Sequence, residues 1–387
     1  MSETLRRICV VTGGRADYGL LQWVMHDIRA ADDLELQLIA TGSHLEAGFG
    51  MTADQIEADG FRIDVRVPLN LGGDTASDTV RAMARCLTGI SEALEALQPD
   101  ILLVLGDRYE ILAAAQAALI HGVPIAHIAG GDTTEGAFDE SIRHALTQMA
   151  HIHLVTNEAA ARRVLQMGAA PDRIHVTGSP GLDQLRRQPL LDRTALEDAL
   201  GAALGERNIL VTFHPVTLAA DRGQEQFDSL LAALDALPGD VMKWVTRPNA
   251  DPGHRALEDA LDSWARDRED VQVFASLGQL RYLSLMAQVD AVVGNSSSGL
   301  YEAPSFGVPT VDIGDRQKGR LAAASVIRCA ADAGPIADAV RAALTLDCAG
   351  VVNPYGDGFS AGRIVQALRD APPRAALLAK AFNETGA

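Results

Sequence analysis

The stretch AVVGNSSSGLYEAPSFGVPTVDIGDRQKGR, residues 291–320, contains the repeating unit of the whole chain. An apolar run, AVVG, stops at a cluster of small polar residues. A helical stretch beginning near Leu300 follows, and then a second apolar run, VPTVDIG, stops at a second polar cluster. Short, fully apolar runs alternating with helices are the pattern of a parallel sheet covered on both faces.

The same alternation extends in both directions. RRICVVT, DLELQLIAT, FRIDVRV, DILLVLG, PIAHIAG and HIHLVT read as strands, separated by helical stretches such as DTVRAMARCLTGISEALEAL and EILAAAQAALIHG. The pattern weakens from Pro180 to Gly205, where GSPGLDQLRRQPLLDR reads as a connection. It resumes with NILVTFHP, DVMKWVT and VQVFAS. The fold class is α/β, expected as two Rossmann-like parallel-sheet domains at 1–180 and 205–370, with a C-terminal helix and tail at 371–387. At 387 residues, two domains agree with ordinary domain size.

Hydrophobic residues make up 48% of the chain, ample for two cores, and the formal net charge is -18. An acidic surface argues against nucleic-acid or anionic-membrane partners. Four separated cysteines form neither a disulfide framework nor a zinc pattern. The N-terminus does not read as a signal peptide and no apolar run approaches membrane-spanning length, so a cytoplasmic location is expected. The NSS sequon at Asn295 carries no weight without a secretion signal.

In open parallel sheets, ligands bind beyond the carboxyl ends of the strands. The polar clusters lie at those ends, giving each domain a polar rim; the simplest geometry makes the rims face each other across a cleft. On the later rim, Ser297 and Ser298 are expected to donate to a phosphate oxygen at a helix N-terminus. Glu302 is expected to accept from sugar hydroxyls. The structural alternative for this cluster is a capped helix start. Arg316, Lys318 and Arg320 in GDRQKGR supply cations for a diphosphate, the alternative being a solvated basic loop. His214 in FHPVT, Asn249 in TRPNAD and Ser276 after VQVFA complete the expected nucleotide set on this side. Arg15, in GGRADYG beyond the first strand, and Arg108 are the expected phosphate ligands of the earlier rim. There is no GxGxxG after the first strand and no GxxxxGK[ST], which disfavours nicotinamide enzymes and phosphate-loop ATPases.

The earlier rim reads as the chemical site. Asp107 follows ILLVLG, Asp132 follows HIAGG, and FDESIRH contains Asp139, Glu140, Arg143 and His144. A helix beginning near Ala137 places Asp139 and Arg143, and likewise Glu140 and His144, one turn apart. Surface ion pairing is the plain alternative for any one of them. Carboxylates gathered together split into proton donors and proton acceptors, which suits proton removal from carbon without a metal. HExxH, GxSxG and a metal-ligand cluster are all missing, and no cofactor is expected.

GGRADYG, TGSHLEAGFG, LVLGDRYEILAAA, PIAHIAGGDTTEGAFDESIRHALTQMAHIHLVT, VTFHPVT, GNSSSGLYEAPSFG and IGDRQKGR, in this order over nearly the whole length, resemble the hydrolysing UDP-N-acetylglucosamine 2-epimerases. The resemblance implies a glycosyltransferase-B-type fold with the nucleotide diphosphate held mainly by the C-terminal domain. It implies conversion of UDP-N-acetylglucosamine and water to N-acetylmannosamine and UDP, through elimination to a 2-acetamidoglucal and rehydration. Related members act on a diacetylbacillosamine nucleotide for legionaminic rather than sialic acid, and some use a GDP sugar. The resemblance carries over Asp107, Asp139, Glu140, Arg143 and His214 for the chemistry, and Arg15, Asn249, Ser297, Glu302 and Arg316 for the nucleotide. It also implies a homodimer or homotetramer. The chain departs at Asp132, where glutamate is expected, at Ala129, and at Gln148, where lysine is common. GDTTEGAF is the expected wall against which the sugar's C4 substituent is read. A glycosyltransferase, a non-hydrolysing epimerase and a non-catalytic nucleotide-sugar sensor are the competing readings.

Overall fold

The computed structural model describes residues 5–47, 50–72, 75–133, 138–214, 222–248 and 254–384. The chain divides into two compact units, Met1–Gln184 with Tyr355–Ala387, and Leu185–Pro354. Among the described residues, no helix is long and apolar enough to cross a membrane.

The first unit is built on seven strands: β1 (Arg6–Thr12), β2 (Leu34–Thr41), β3 (Val65–Val67), β4 (Ile101–Leu105), β5 (Ile125–Ile128), β6 (Ile152–Val155) and β7 (Ile174–Val176). They lie in the order β3-β2-β1-β4-β5-β6-β7, and every pairing is parallel. The central strand β4, ILLVL, is buried along its length, as a strand covered on both faces must be. The helix Tyr109–Ile120 turns a face of buried alanines toward this core. Side chains that small let its backbone approach the sheet closely.

The second unit has six strands: β8 (Arg207–Thr212), β9 (Val241–Thr246), β10 (Val271–Phe274), β11 (Ala291–Gly294), β12 (Thr310–Ile313) and β13 (Val326–Cys329). Their order is β10-β9-β8-β11-β12-β13, again all parallel. In each sheet the strand order reverses once, between β1 and β4 and between β8 and β11. A crevice opens at such a reversal because successive connections leave in opposite directions.

Two boundaries differ from the sequence expectation of 205–370. The second unit starts at Leu185, and its core takes in Leu196 from the helix Arg193–Leu200, inside the stretch read as a connection. Its end is Pro354, not residue 370, because the chain returns to the first unit. There the helix Ser360–Asp370 packs on the helix Arg15–Ala30, and Ile364, Val365 and Leu368 share a core with Leu21, Met25 and Ile28. Each such side chain contributes roughly 1.5–3 kcal/mol on burial. The final helix is short, Arg374–Leu378, and anchors through buried Leu377.

The returning segment is tied by a buried carboxylate. Asp183 accepts from the backbone N–H groups of Ser360 and Ala361, each at 2.9 Å, satisfying donors that a helix start leaves orphaned. Beside it, Gly178 and Gly356 cross so closely that a Cβ on Gly356 would lie 3.1 Å from the Gly178 Cα. Gly356 also has a φ of +121°, so glycine is required there on both counts. Asp183→Ala is expected to cost about 3 kcal/mol or more in urea unfolding, with Asp183→Asn losing less because one acceptor survives. Equal losses for the two variants would contradict this account.

Candidate active site

In the first unit, the turns after β1, β4 and β5 and the helix Phe138–Met149 supply the polar side chains. Gly106, at φ +79°, lets the chain leave β4 sharply, so that Asp107 and Arg108 precede the helix Tyr109–Ile120. Behind this turn, His127 of β5 directs Nε2 at the Gly106 carbonyl, 2.7 Å away. Burial holds this imidazole down to about 4, so it is neutral at pH 7 and its Nε2–H donates.

Arg143 joins the rim together. Its side chain is almost fully buried, at 7% exposure. Nη1 donates to the Asp132 carbonyl and to Glu140 Oε2, both at 2.9 Å, and Nη2 donates to Asp107 Oδ2. His144 Nε2 lies 3.3 Å from Glu140 Oε1. Asp107, Glu140, Arg143 and His144 therefore form one connected group. Arg143 pairs with Glu140 at i,i+3, not with Asp139 one turn away as the spacing suggested. Asp139 is close enough to feel both partners: burial, then the charge of Asp107, push its carboxyl upward, while Arg143 opposes the shift.

Asp132 is placed differently. Its Oδ1 accepts from Thr156 Oγ1 at 2.7 Å and Asn157 Nδ2 at 3.3 Å, which anchors the turn after β5 to the end of β6. Arg15, the first residue of its helix, is exposed. GDTTEGAF lies largely outside the described residues.

Two acids of this rim escaped the sequence reading. Asp17, buried, accepts from the Gly13 N–H at 3.3 Å. Glu110 is fully buried, with Oε1 at 2.5 Å from Arg108 Nε. Both stand in motifs already noted, GGRADYG and GDRYE, but in the first turn of a helix, where acids are ordinarily solvent-facing.

In the second unit, one buried side chain orders the rim. Asn295 follows β11. Its Oδ1 accepts from the His214 N–H at 2.7 Å and its Nδ2 donates to the His214 carbonyl at 2.9 Å. Its own carbonyl accepts from Arg316 Nη1 at 3.0 Å and Gln317 Nε2 at 2.9 Å. His214 after β8 and the GDRQKGR turn after β12 are thus fixed to one residue that the sequence marked only as a sequon. The adjoining Gly294 has no space for a side chain: a Cβ would sit 1.9 Å from the Thr212 carbonyl oxygen.

The serine cluster differs from the expectation. The helix it opens spans only Ser298–Tyr301, and Ser297 makes no side-chain cap, so a long helix dipole is missing and the capped-start alternative is not formed. Ser298 Oγ lies 2.6 Å from Tyr282 Oη and 3.0 Å from Ser296 Oγ. Ser296, Ser298 and Tyr282 thus share one hydroxyl network. Glu302 ends the short helix, and burial lifts its carboxyl to about 7. Arg316 and Lys318 are exposed. Arg320 donates to Gln317 Oε1 at 2.7 Å, bracing its own turn. Ser276 accepts from the Gly278 N–H at 3.2 Å, a turn contact. Asn249 lies outside the described residues. Among the described residues, no group of three or more His, Cys, Asp or Glu is arranged to hold a metal ion.

Burial raises the Asp17 carboxyl from its ordinary 3.8 to about 6, Arg108 opposes, and Glu110 and Asp107 add to the rise. The folded chain therefore holds this proton more tightly than the unfolded one, and stability falls as pH rises between about 4 and about 6. Asp17→Asn is expected to raise stability at neutral pH by roughly 1–3 kcal/mol, the gain disappearing toward pH 4. Urea midpoints across this range check it, and a gain independent of pH would contradict it.

The UDP-N-acetylglucosamine 2-epimerase family model matches residues 26–369. The GDP/UDP-N,N'-diacetylbacillosamine 2-epimerase (hydrolyzing) of Campylobacter jejuni is 38% identical over 83% of this chain and 84% of its own. The UDP-N,N'-diacetylbacillosamine 2-epimerase (hydrolyzing) of Legionella pneumophila is 34% identical over 97% and 99%. A UDP-N-acetylglucosamine 2-epimerase of Neisseria meningitidis is 32% identical over 88% of each chain. Solved structures agree in fold: the Neisseria meningitidis enzyme bound to UDP-GlcNAc has a TM-score of 0.76 at 20% identity, covering 94% of this chain and 100% of that one. The Methanocaldococcus jannaschii enzyme has 0.77 at 17%, with the same coverage. With paired acids on one parallel sheet and hydroxyls and cations on another, and with these relatives along its length, the chain belongs to the UDP-N-acetylglucosamine 2-epimerase family and is an enzyme of it.

Proposed function

We propose that the enzyme is a hydrolysing 2-epimerase whose substrate is a nucleoside-diphosphate 2,4-diacetamido-2,4,6-trideoxyglucose, released as the free 2-epimer and the nucleoside diphosphate. The carrying observation is the Arg143 clamp on Asp107 and Glu140, with Asp139 beside it. The sugar is proposed from the two relatives named for diacetylbacillosamine, at 38% and 34% identity. UDP-N-acetylglucosamine is the second reading, supported by the relative of that name at 32%.

The chemistry follows from the carbon involved. The C2 hydrogen has no adjacent carbonyl to acidify it, so its removal needs positive charge developing at C1 as the diphosphate departs. The C1–O bond breaks toward the diphosphate, and one carboxylate takes the C2 proton as the C1=C2 double bond forms. Water then adds its hydroxyl to C1, and a proton is delivered to the opposite face of C2. A carboxylate that merely returned its own proton would restore the original configuration, so inversion calls for two proton carriers. Asp107 is the proposed base and Asp139, its carboxyl pushed upward, the proposed acid. Glu140, with His144, holds Arg143 in register. In the second unit, His214, the serine hydroxyls and Arg316 are proposed to disperse charge on the departing diphosphate, with Glu302 accepting from the ribose.

Asp107→Asn is expected to lower kcat by about a hundredfold or more while UDP affinity stays within about threefold. Parallel collapse of both would move Asp107 into the binding shell. Turnover in deuterated water should place one deuterium at C2 of the released sugar, and its absence would rule out elimination and rehydration. A panel of UDP and GDP sugars without any acceptor, scored by free-sugar mass, decides the substrate. Release only when an acceptor is added would indicate a glycosyltransferase.

A further inference from the structure

Glu110 is the least expected group on the first rim. It is fully buried, and its Oε2 has no hydrogen-bond partner among the described residues. A carboxylate in that position is costly unless its charge is answered. Among the described residues, the cation bonded to it is Arg108, whose Nε lies 2.5 Å from Oε1. The bond fixes Arg108 from the inside. Its guanidinium carbon lies 5.7 Å from the Tyr109 ring centroid, and its side chain remains 48% exposed.

The turn after β1 is shaped around the same carboxylate. A Cβ on Gly13 would lie 2.6 Å from Glu110 Oε1 and 2.8 Å from its Cγ. Gly13 is not in the left-handed region, so backbone conformation does not demand glycine there. The space taken by Glu110 does. Asp17 and Ser43 hold the turn in place, Asp17 by accepting from the Gly13 N–H at 3.3 Å and Ser43 by donating its N–H to the Gly13 carbonyl at 2.9 Å.

We propose that Glu110 is a positioning residue: seated under Gly13, it holds Arg108 by Nε so that the terminal guanidinium nitrogens are presented, pre-oriented, to the substrate's diphosphate. The ligand rests on the function proposed above, while the dependence of Arg108 on Glu110 and Gly13 does not. A guanidinium held by one edge keeps its opposite edge for bidentate binding of phosphate oxygens, and ordering it in advance removes that cost from binding.

The test is titration calorimetry of UDP and of GDP, with thermal melts of every variant. Arg108→Ala is expected to weaken the bound nucleotide about tenfold or more. Glu110→Ala should weaken it comparably, and Arg108→Ala/Glu110→Ala no more than Arg108→Ala alone. Glu110→Gln keeps the acceptor for Nε and removes a buried charge. It should bind between wild type and Glu110→Ala, with a melting temperature no lower than wild type. Gly13→Ala should lose affinity in the wild-type background and lose none further with Glu110→Ala. Additive losses for Arg108 and Glu110, or a lower melting temperature at unchanged affinity in Glu110→Gln, would overturn the proposal. If wild type binds neither nucleotide, the proposed function fails and takes the ligand of this inference with it. If wild type binds and Glu110→Ala binds equally well, only this inference fails.

Discussion

The first unit depends on a single guanidinium. Arg143 reaches the turn after β4, the turn after β5 and its own helix at once, through Asp107, the Asp132 carbonyl and Glu140. Its side chain is nearly dry while the two carboxylates remain about a quarter exposed. That asymmetry suits the proposed chemistry: the cation is fixed, and the acids keep a face toward solvent. Removing the cation would leave Asp107 and Glu140 without their shared guanidinium, a loss of about 3–5 kcal/mol in comparable buried pairs.

The second unit solves the same problem without charge. Asn295 uses both ends of its amide on the His214 backbone and its carbonyl on Arg316 and Gln317. A neutral amide can be fully buried once each of its polar atoms is paired. Asn295 ties the turns after β8 and β11, between which strand order reverses, while Arg143 ties the adjacent turns after β4 and β5.

Much of the architecture was legible because its physics is local. The strands β1, β4, β5, β6, β8 and β11 are short apolar runs ending in glycine or small polar residues, and each appeared where the pattern placed it. The edge strands β7 and β13 did not, since IHV and VIRC are three and four residues long and only partly buried. The segment of the helix Ser360–Asp370 was included in the second domain of the expected division, whereas it packs in the first unit. An amphipathic stripe shows that one face will be buried, not against which core.

The sequence by itself determined the alternation of strands and helices, the strand ends at which polar residues collect, and the types of side chain found there. Only the tertiary structure decided the pairings: Arg143 with Glu140 instead of Asp139, Asn295 as a clamp instead of a sequon, and Glu110 beneath Gly13. The physical reason is range. Periodicity is set by neighbours a few residues apart. A buried polar group must be satisfied by whatever the fold brings within about 3 Å, and those partners lie at separations that no local pattern records.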